Sequence, residues 1–367
     1  MAAPLRIALD LSCAAKAEPS GIAHYARHLV AALHASAGDE CYLLLYRFSR
    51  LKRFRHFLQP PDARFKTRLL LETLPSLTLR RVDVVHGLDA RIPRCRAATV
   101  ATVHDLFSAV RSDLAGEHFR TRKLDRYLRL SEEATRLIVP SAGTLSDLER
   151  LYPASRGRIR VIPHGIDATF APRSEDTIAR TCARLGIPRP YVFFVGLLST
   201  RKNVARLVRA FDVVAARHPR LHLVLGGSPS HGYEEIDATI SRARHRERIV
   251  LPGYLQVSDL PELYSGAELF LFPTLCEGFG LPILEALACG APVIASDQSV
   301  PREVGGAAPL FVDPESEEAI ASGIEQLLHE GRRSERVAQG REWVKRFTWE
   351  ECARRTLGVY REAAEAR

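Results

Sequence analysis

Short apolar runs alternate with amphipathic stretches along the whole chain. Runs at 5–9, 41–45, 82–86, 98–103, 137–140 and 159–162 predict buried strands in the first half. Runs at 191–195, 221–225, 249–251, 269–272, 292–295 and 309–312 do the same in the second. Helix-period spacing between them predicts helices at 22–34, 121–133, 142–152, 203–217, 233–246, 259–265, 282–288 and 316–328. Strand–helix alternation is the pattern of parallel α/β units, and two series of similar length predict two doubly wound domains. The first domain is expected at 1–170 and the second at 191–347. Between them, 171–190 is expected to be a linker, because Pro172, Pro188 and Pro190 interrupt a polar stretch there. Thr348, followed three residues later by Glu351, forms a capping box. It predicts a terminal helix at 348–367 that can return to the first domain. No internal repeat or low-complexity tract interrupts this plan.

Composition narrows the class. Of 367 residues, 46% are apolar and 26% charged, which excludes a disordered or fibrous chain. No run of about 20 apolar residues is long enough to span a bilayer. Asp10 follows so soon after the start that the opening residues are expected to form a first strand, not a targeting segment. The seven cysteines are scattered without C-x-x-C spacing, which points to reduced thiols in a cytosol and away from disulfides or zinc. The net charge of +9 is unevenly placed: residues 1–170 carry 27 basic and 17 acidic side chains, and the remainder 25 and 26. The excess gathers at 51–68 (Lys52, Arg53, Arg55, Arg64, Lys66, Arg68) and at 120–129 (Arg120, Arg122, Lys123, Arg126, Arg129). It fits an anionic partner, either a membrane headgroup layer or a phosphate-bearing substrate, and equally a solvated arginine-rich face. Nucleic acid is disfavoured, since no aromatic-interleaved basic strand or binding motif accompanies the charge.

The most informative stretch is 269–297, LFLFPTLCEGFGLPILEALACGAPVIASD, which spells strand, tight loop, helix, glycine stop and strand. Glu277 precedes Gly278, Phe279, Gly280 and Leu281, and Pro282 suits the first turn of the helix that follows. Glycines let backbone approach a ligand, and unpaired amides at a helix start favour phosphate. Glu285, expected in the first turn, can accept hydrogen bonds from a ribose diol. Glu277 is expected at the far side of the phosphates, on sugar hydroxyls. Complementing the helix dipole would explain one acid, but not two acids with a double glycine. Arg201 and Lys202 follow the strand 191–195 and the loop opened by Gly196. Two cations at such a strand–helix loop can neutralise a diphosphate, although an isolated Arg-Lys pair is more often surface charge.

Together these segments resemble the retaining family 4 glycosyltransferases of the GT-B fold. The likeness rests on Glu277-x7-Glu285, and on SGIAHYARHLV at 20–30, TVHDL at 102–106, VPSAGTLSDL at 139–148, VIPHGID at 161–167 and FFVGLLSTRKN at 193–203. It implies two Rossmann-like domains facing a central cleft, the first binding the acceptor and the second a nucleotide-diphosphate sugar. It implies that Arg201 and Lys202 contact the diphosphate, and that His104, rather than His24, His86 or His164, borders the donor sugar with Asp105 beside it. The Gly21 loop is implied to close over the phosphates; Ser20 stands where many members carry a second glycine. Gly226 and Gly227, with Gly253 and Tyr254, end strands whose backbone can meet the base, and Glu303 is a further family-like position. No Asp-x-Asp pair sits at a strand end, so no metal is expected.

The wording of the motifs is most similar to bacterial mannosyltransferases of surface polysaccharide assembly. That favours GDP-mannose as donor, with UDP- or dTDP-sugars as alternatives. The implied acceptor is a saccharide or polyprenyl-diphosphate-linked saccharide, met in the cytoplasm or at the inner face of an anionic membrane. Two other classes compete: a GT-B phosphorylase or sugar-nucleotide epimerase, and a non-catalytic nucleotide- or polysaccharide-binding module. The first lacks a visible pyridoxal phosphate motif, and the second would be expected to have lost the paired cations and acids.

Overall fold

Each half of the chain builds one parallel sheet. The computed structural model describes residues 4–16, 18, 20–36, 38–330 and 335–366. Unit 1 draws on Met1–Val110, Glu117–Gly165 and Phe347–Arg367, and unit 2 on Arg111–Gly116 and Ile166–Arg346.

The strands of unit 1 are β1 (Arg6–Asp10), β2 (Cys41–Arg47), β3 (Phe65–Leu70), β4 (Val84–Gly87), β5 (Ala98–Thr102), β6 (Arg136–Val139) and β7 (Ile159–Val161). They lie in the order β3-β2-β1-β4-β5-β6-β7. From β1 the chain builds outward through β2 and β3, then returns to β4 on the other flank. In unit 2, β8 (Tyr191–Val195), β9 (His222–Gly226), β10 (Ile249–Gly253), β11 (Leu269–Phe272), β12 (Val293–Ser296) and β13 (Leu310–Val312) take the order β10-β9-β8-β11-β12-β13. Central strands are buried on both faces, as in β8 and β11, so they appear in the sequence as continuous apolar runs.

Two elements depart from the sequence pattern. Strand β3 is the edge of its sheet, and its residues Lys66, Thr67 and Arg68 are exposed. A charged edge resists pairing with other chains, and the same charge hides the strand from a search for apolar runs. The stretch 171–190 is not an open connector: it holds the helix Glu175–Leu185 inside unit 2. Only Ile178 and Cys182 of that helix are buried, which left its period faint.

The terminal helix Trp349–Glu365 returns to unit 1. One half of the expected capping box forms, with Thr348 Oγ1 accepting the Glu351 N–H at 3.2 Å, while the Glu351 carboxylate accepts from Arg354 instead. Trp349, Cys352, Ala353, Leu357, Val359, Tyr360 and Ala363 enter one core with Tyr25, Leu29 and Val30 of the helix Gly21–Ala35. Trp349 stacks on His28, with ring centroids 5.0 Å apart. The structure shows all seven cysteines as free thiols. Among the described residues no helix is long and apolar enough to cross a membrane. Replacing Trp349 by alanine removes a large buried ring from the unit 1 core, so Trp349→Ala is expected to cost about 3–5 kcal/mol, checked by chemical denaturation.

Candidate active site

In unit 2, β8 and β11 are hydrogen-bonded neighbours, yet the chain leaves them toward opposite edges of the sheet. Loops after two such strands diverge and leave room for a ligand at their carboxyl ends. The loop after β8 carries Arg201 and Lys202; the loop after β11 carries Glu277 and the glycines. Backbone ties the two together, since Leu275 N–H donates to the Arg201 carbonyl at 2.9 Å. Asn203 locks the junction. It sits in the left-handed region at φ 61°, which asparagine tolerates better than most residues, and its Nδ2 donates to the carbonyls of Pro273 and Pro314 at 2.9 and 2.6 Å.

This frame brings three charges into contact. Lys202 Nζ donates to Glu277 Oε1 at 2.6 Å, and Arg201 Nη1 donates to Glu277 Oε2 at 2.9 Å. The Lys202 ammonium also lies 4.8 Å from the centroid of the Phe272 ring, a cation–π contact. All three charged side chains are largely buried: 17% of Arg201 is exposed, and 10% each of Lys202 and Glu277. Burial works to raise the Glu277 carboxyl, but the charges of Arg201 and Lys202 prevail and hold it below the usual range. Glu277 therefore bonds directly to both cations, a contact the sequence alone does not reveal. The trio retains one net positive charge in a poorly hydrated place, which favours an anion.

The turn after Glu277 runs through buried Gly278 and Phe279 to Gly280, whose φ of 115° suits glycine. The helix Leu281–Ala288 follows, with no acid in its first turn. Glu285 is thus one position later than expected, in the second turn. Its Oε2 accepts the Tyr264 hydroxyl at 2.7 Å, and the Tyr264 ring packs against Phe193 and Phe270. Burial pushes the Glu285 carboxyl up to about 7, opposed only in part by the Tyr264 hydrogen bond.

Strand ends beside this loop pair are glycine-lined. Gly196 N–H donates to Gly226 at 3.0 Å and Gly227 N–H to Gly253 at 2.7 Å, so the chain ends after β8, β9 and β10 are stitched in a row, with Tyr254 next along. Glu303 is exposed on the helix Ser299–Gly305. Asn203, Phe272 and Tyr264 were not singled out in the sequence. An asparagine between Lys202 and a helix is the kind of left-handed cap that could have been noticed; Tyr264 carries no local signal.

Unit 1 holds the other expected residues. His104 follows β5, where its Nε2–H donates to the Leu88 carbonyl at 2.8 Å. That leaves Nδ1 as acceptor, 3.3 Å from His164 Nε2. Burial lowers the His104 pKa below the usual range and lowers that of His164 further, so both rings are neutral. His86 lies beneath them, bonded to Tyr360 Oη at 2.7 Å and Thr102 Oγ1 at 2.8 Å, and burial holds it down to about 3. Three of the four histidines weighed in the sequence, His86, His104 and His164, form a network around Tyr25, whose ring lies 4.8 Å from His104 and 4.5 Å from His164. Ser20 caps the helix Gly21–Ala35 in an ordinary extended conformation, and Gly21 is exposed at its start. Asp105 accepts the Tyr127 hydroxyl through its carbonyl at 3.0 Å.

Two Rossmann-like units, the second with a buried Arg-Lys-Glu cluster at its strand ends, match the GT-B glycosyltransferases. Residues 19–170 match the family model "Glycosyltransferase Family 4" and residues 183–343 the model "Glycosyl transferases group 1". The chain belongs to this family. It is 29% identical over 282 residues to O-antigen chain mannosyltransferase B of Escherichia coli, covering 76% of this chain and 74% of that one. Its match to the D-inositol 3-phosphate glycosyltransferase of Xylanimonas cellulosilytica, 33% identical, covers 63% of this chain and spans only 58% of that relative. Among solved structures, sucrose-phosphate synthase from Thermosynechococcus elongatus shares the fold at a TM-score of 0.77 and 24% identity, covering 99% and 100% of the two chains. Anabaena HepE in complex with UDP and glucose does so at 0.77 and 18%, covering 98% and 100%.

Glu285 gives the site a pH signature. Its folded pKa lies above the ordinary value of 4.5, so the native state holds the proton more tightly and loses stability as pH rises through about 7. Glu285→Gln lacks this titration. The melting temperature of Glu285→Gln relative to wild type is expected to climb between about pH 5 and pH 8, and parallel melting curves would contradict the assignment.

Proposed function

We propose that the protein is a retaining hexosyltransferase that moves mannose from GDP-mannose to a saccharide or polyprenyl-diphosphate-linked saccharide in surface polysaccharide synthesis. The single observation that carries this is the buried Arg201–Lys202–Glu277 trio at the divergence of β8 and β11, followed by the glycine turn and helix start. The mannosyl donor is favoured by the O-antigen chain mannosyltransferase of Escherichia coli; a UDP-sugar is the second choice, since HepE holds UDP and glucose.

In this proposal Arg201 and Lys202 meet the donor diphosphate and stabilise the charge it gains as the sugar departs. A carboxylate has about four acceptor positions, so Glu277 can hold both cations and still receive sugar hydroxyls. The amides of Gly278–Leu281 add donors to the phosphates, and Glu285 accepts the ribose hydroxyls. Gly196, Gly253 and Tyr254 border the nucleotide. His104 is a neutral positioning residue of unit 1, its ring nitrogens engaged by Leu88 and His164, and not a general base. The acceptor attacks from the face the diphosphate leaves, so the anomeric configuration is kept.

The enzyme is further proposed to work in the cytoplasm and to touch the anionic inner membrane face through unit 1. The 3₁₀ segment Phe48–His56 buries none of its residues and exposes Phe48, Leu51 and Phe54 among Arg50, Lys52, Arg53 and Arg55. The stacking of Phe57 on Tyr46, 3.7 Å between centroids, anchors the end of that segment. Apolar side chains ringed by cations suit an anionic headgroup layer.

Two tests follow from these roles. Lys202→Ala is expected to lower kcat roughly 10²-fold with GDP-mannose, and a wild-type rate would remove the lysine from the reaction; NMR of the product's anomeric proton checks retention in the same assay. In flotation with vesicles containing anionic lipid, the wild-type chain is expected to float and Phe48→Ser/Phe54→Ser to stay behind.

A further inference from the structure

Unit 1 has its own strand divergence: β1 leads to β2 on one flank, and β4 adjoins it on the other. Two cavities lie at that place, of about 200 and 510 Å³, and Arg47 and Arg91 line both. Arg126 lines the larger one. Together the two cavities are lined by seven basic and four acidic side chains, an excess of three positive charges.

The basic groups are held in place. Arg47 is fixed by Asp10, whose Oδ2 accepts Nε at 3.0 Å and Nη2 at 2.7 Å. Asp10 itself is almost fully buried. Arg91 rides on a tight loop after β4. Gly87 is required there, because a Cβ would stand 1.5 Å from the Arg91 carbonyl oxygen. Ala90 adopts φ 45°, a left-handed conformation unfavourable for alanine, while its N–H donates to the Thr102 carbonyl at 2.9 Å. Strain of this kind persists only where surrounding structure enforces it, and it concentrates at ligand sites.

Arg47 is engaged, but donors on its neighbours are left over. Among the described residues, Arg91 Nε and Arg129 Nη2 are buried without a hydrogen-bond partner. Burial, followed by the charges of Arg126 and Arg47, lowers the Arg91 pKa; burial also lowers that of Arg126, against the pull of Asp89. Like charges gathered in a half-buried pocket repel one another, and an anion joining them relieves that repulsion. Guanidinium forks match phosphate oxygens two at a time, which singles out phosphate over a simple point-charge anion. Apolar Leu70, Ile92 and Leu130 line the larger cavity too.

From this geometry we propose that Arg47, Arg91 and Arg126 form a phosphate-binding site in unit 1 that takes a phosphate or diphosphate ester carried by the acceptor. The site rests on the glycosyltransferase function proposed above for the word acceptor, and on its own geometry for the phosphate.

Calorimetric titration of the full chain with inorganic pyrophosphate tests it, comparing wild type, Arg91→Gln/Arg126→Gln and Lys202→Ala. The arginine variant is expected to lose about tenfold or more in pyrophosphate affinity while binding GDP or UDP as before, since each charge-assisted pair is worth about that much. Lys202→Ala is expected to weaken the nucleotide and retain the pyrophosphate binding that the arginine variant loses. Farnesyl diphosphate binding at least tenfold tighter than pyrophosphate assigns the ester to a lipid carrier, and equal binding assigns it to a water-soluble acceptor; both support the site. Because neutralising crowded arginines relieves repulsion, the variant is expected to melt no lower than wild type. Unchanged pyrophosphate affinity in Arg91→Gln/Arg126→Gln, or a fall in its melting temperature marking the arginines as structural, overturns the proposal. A wild-type chain that binds pyrophosphate but no nucleotide refutes the donor assignment and leaves this site standing.

Discussion

Parallel strands cannot be joined by tight hairpins, and that constraint organises everything functional in this protein. Each strand must hand the chain to a crossover, and where two neighbours send their crossovers to opposite edges, the loops part. Unit 2 does this between β8 and β11, unit 1 between β1 and β4. Chemistry then depends on what the parted loops carry. In unit 2 they carry a trio of charges and a glycine turn; in unit 1, Asp10 at the end of β1 holds Arg47 of β2, and the loop after β4 carries Arg91.

The two loop pairs handle charge differently. Glu277 accepts from both Arg201 and Lys202, so the cations are pre-ordered and half neutralised before any ligand arrives. Such a trio trades some attraction for orientation, which matters more than raw charge when a leaving group must be met at a fixed place. The arginines of unit 1 are less compensated, since Asp10 engages Arg47 while Arg91 keeps a buried donor unmet. Excess charge there favours capture over alignment.

Much of this is legible in the amino-acid sequence. Buried parallel strands announce themselves as apolar runs, so every predicted strand formed, and the cap at Thr348 fixed the last helix. The loop residues Arg201, Lys202 and Glu277 were visible because cations and acids beside glycines at strand ends are uncommon. Their mutual bonding was not, since 75 residues separate Lys202 from Glu277 and only the adjacency of β8 and β11 unites them. Nor could the pattern distinguish His104 from His86 and His164: all three join one hydrogen-bonded and aromatic cluster that also holds Tyr25 and Tyr360. The charged edge strand β3 and the helix Glu175–Leu185 escaped because burial, the signal sought, touches only a few of their side chains.

The return of the terminal helix has a consequence for biogenesis. The core begun by the earliest strands is finished by Trp349, Leu357 and Tyr360, which follow the whole of unit 2 along the chain. During synthesis unit 2 has its whole sequence available first, while its predecessor must wait, half-built, with an open apolar face. A premature stop codon just before Phe347 would therefore spare the later-made unit and cripple the earlier one.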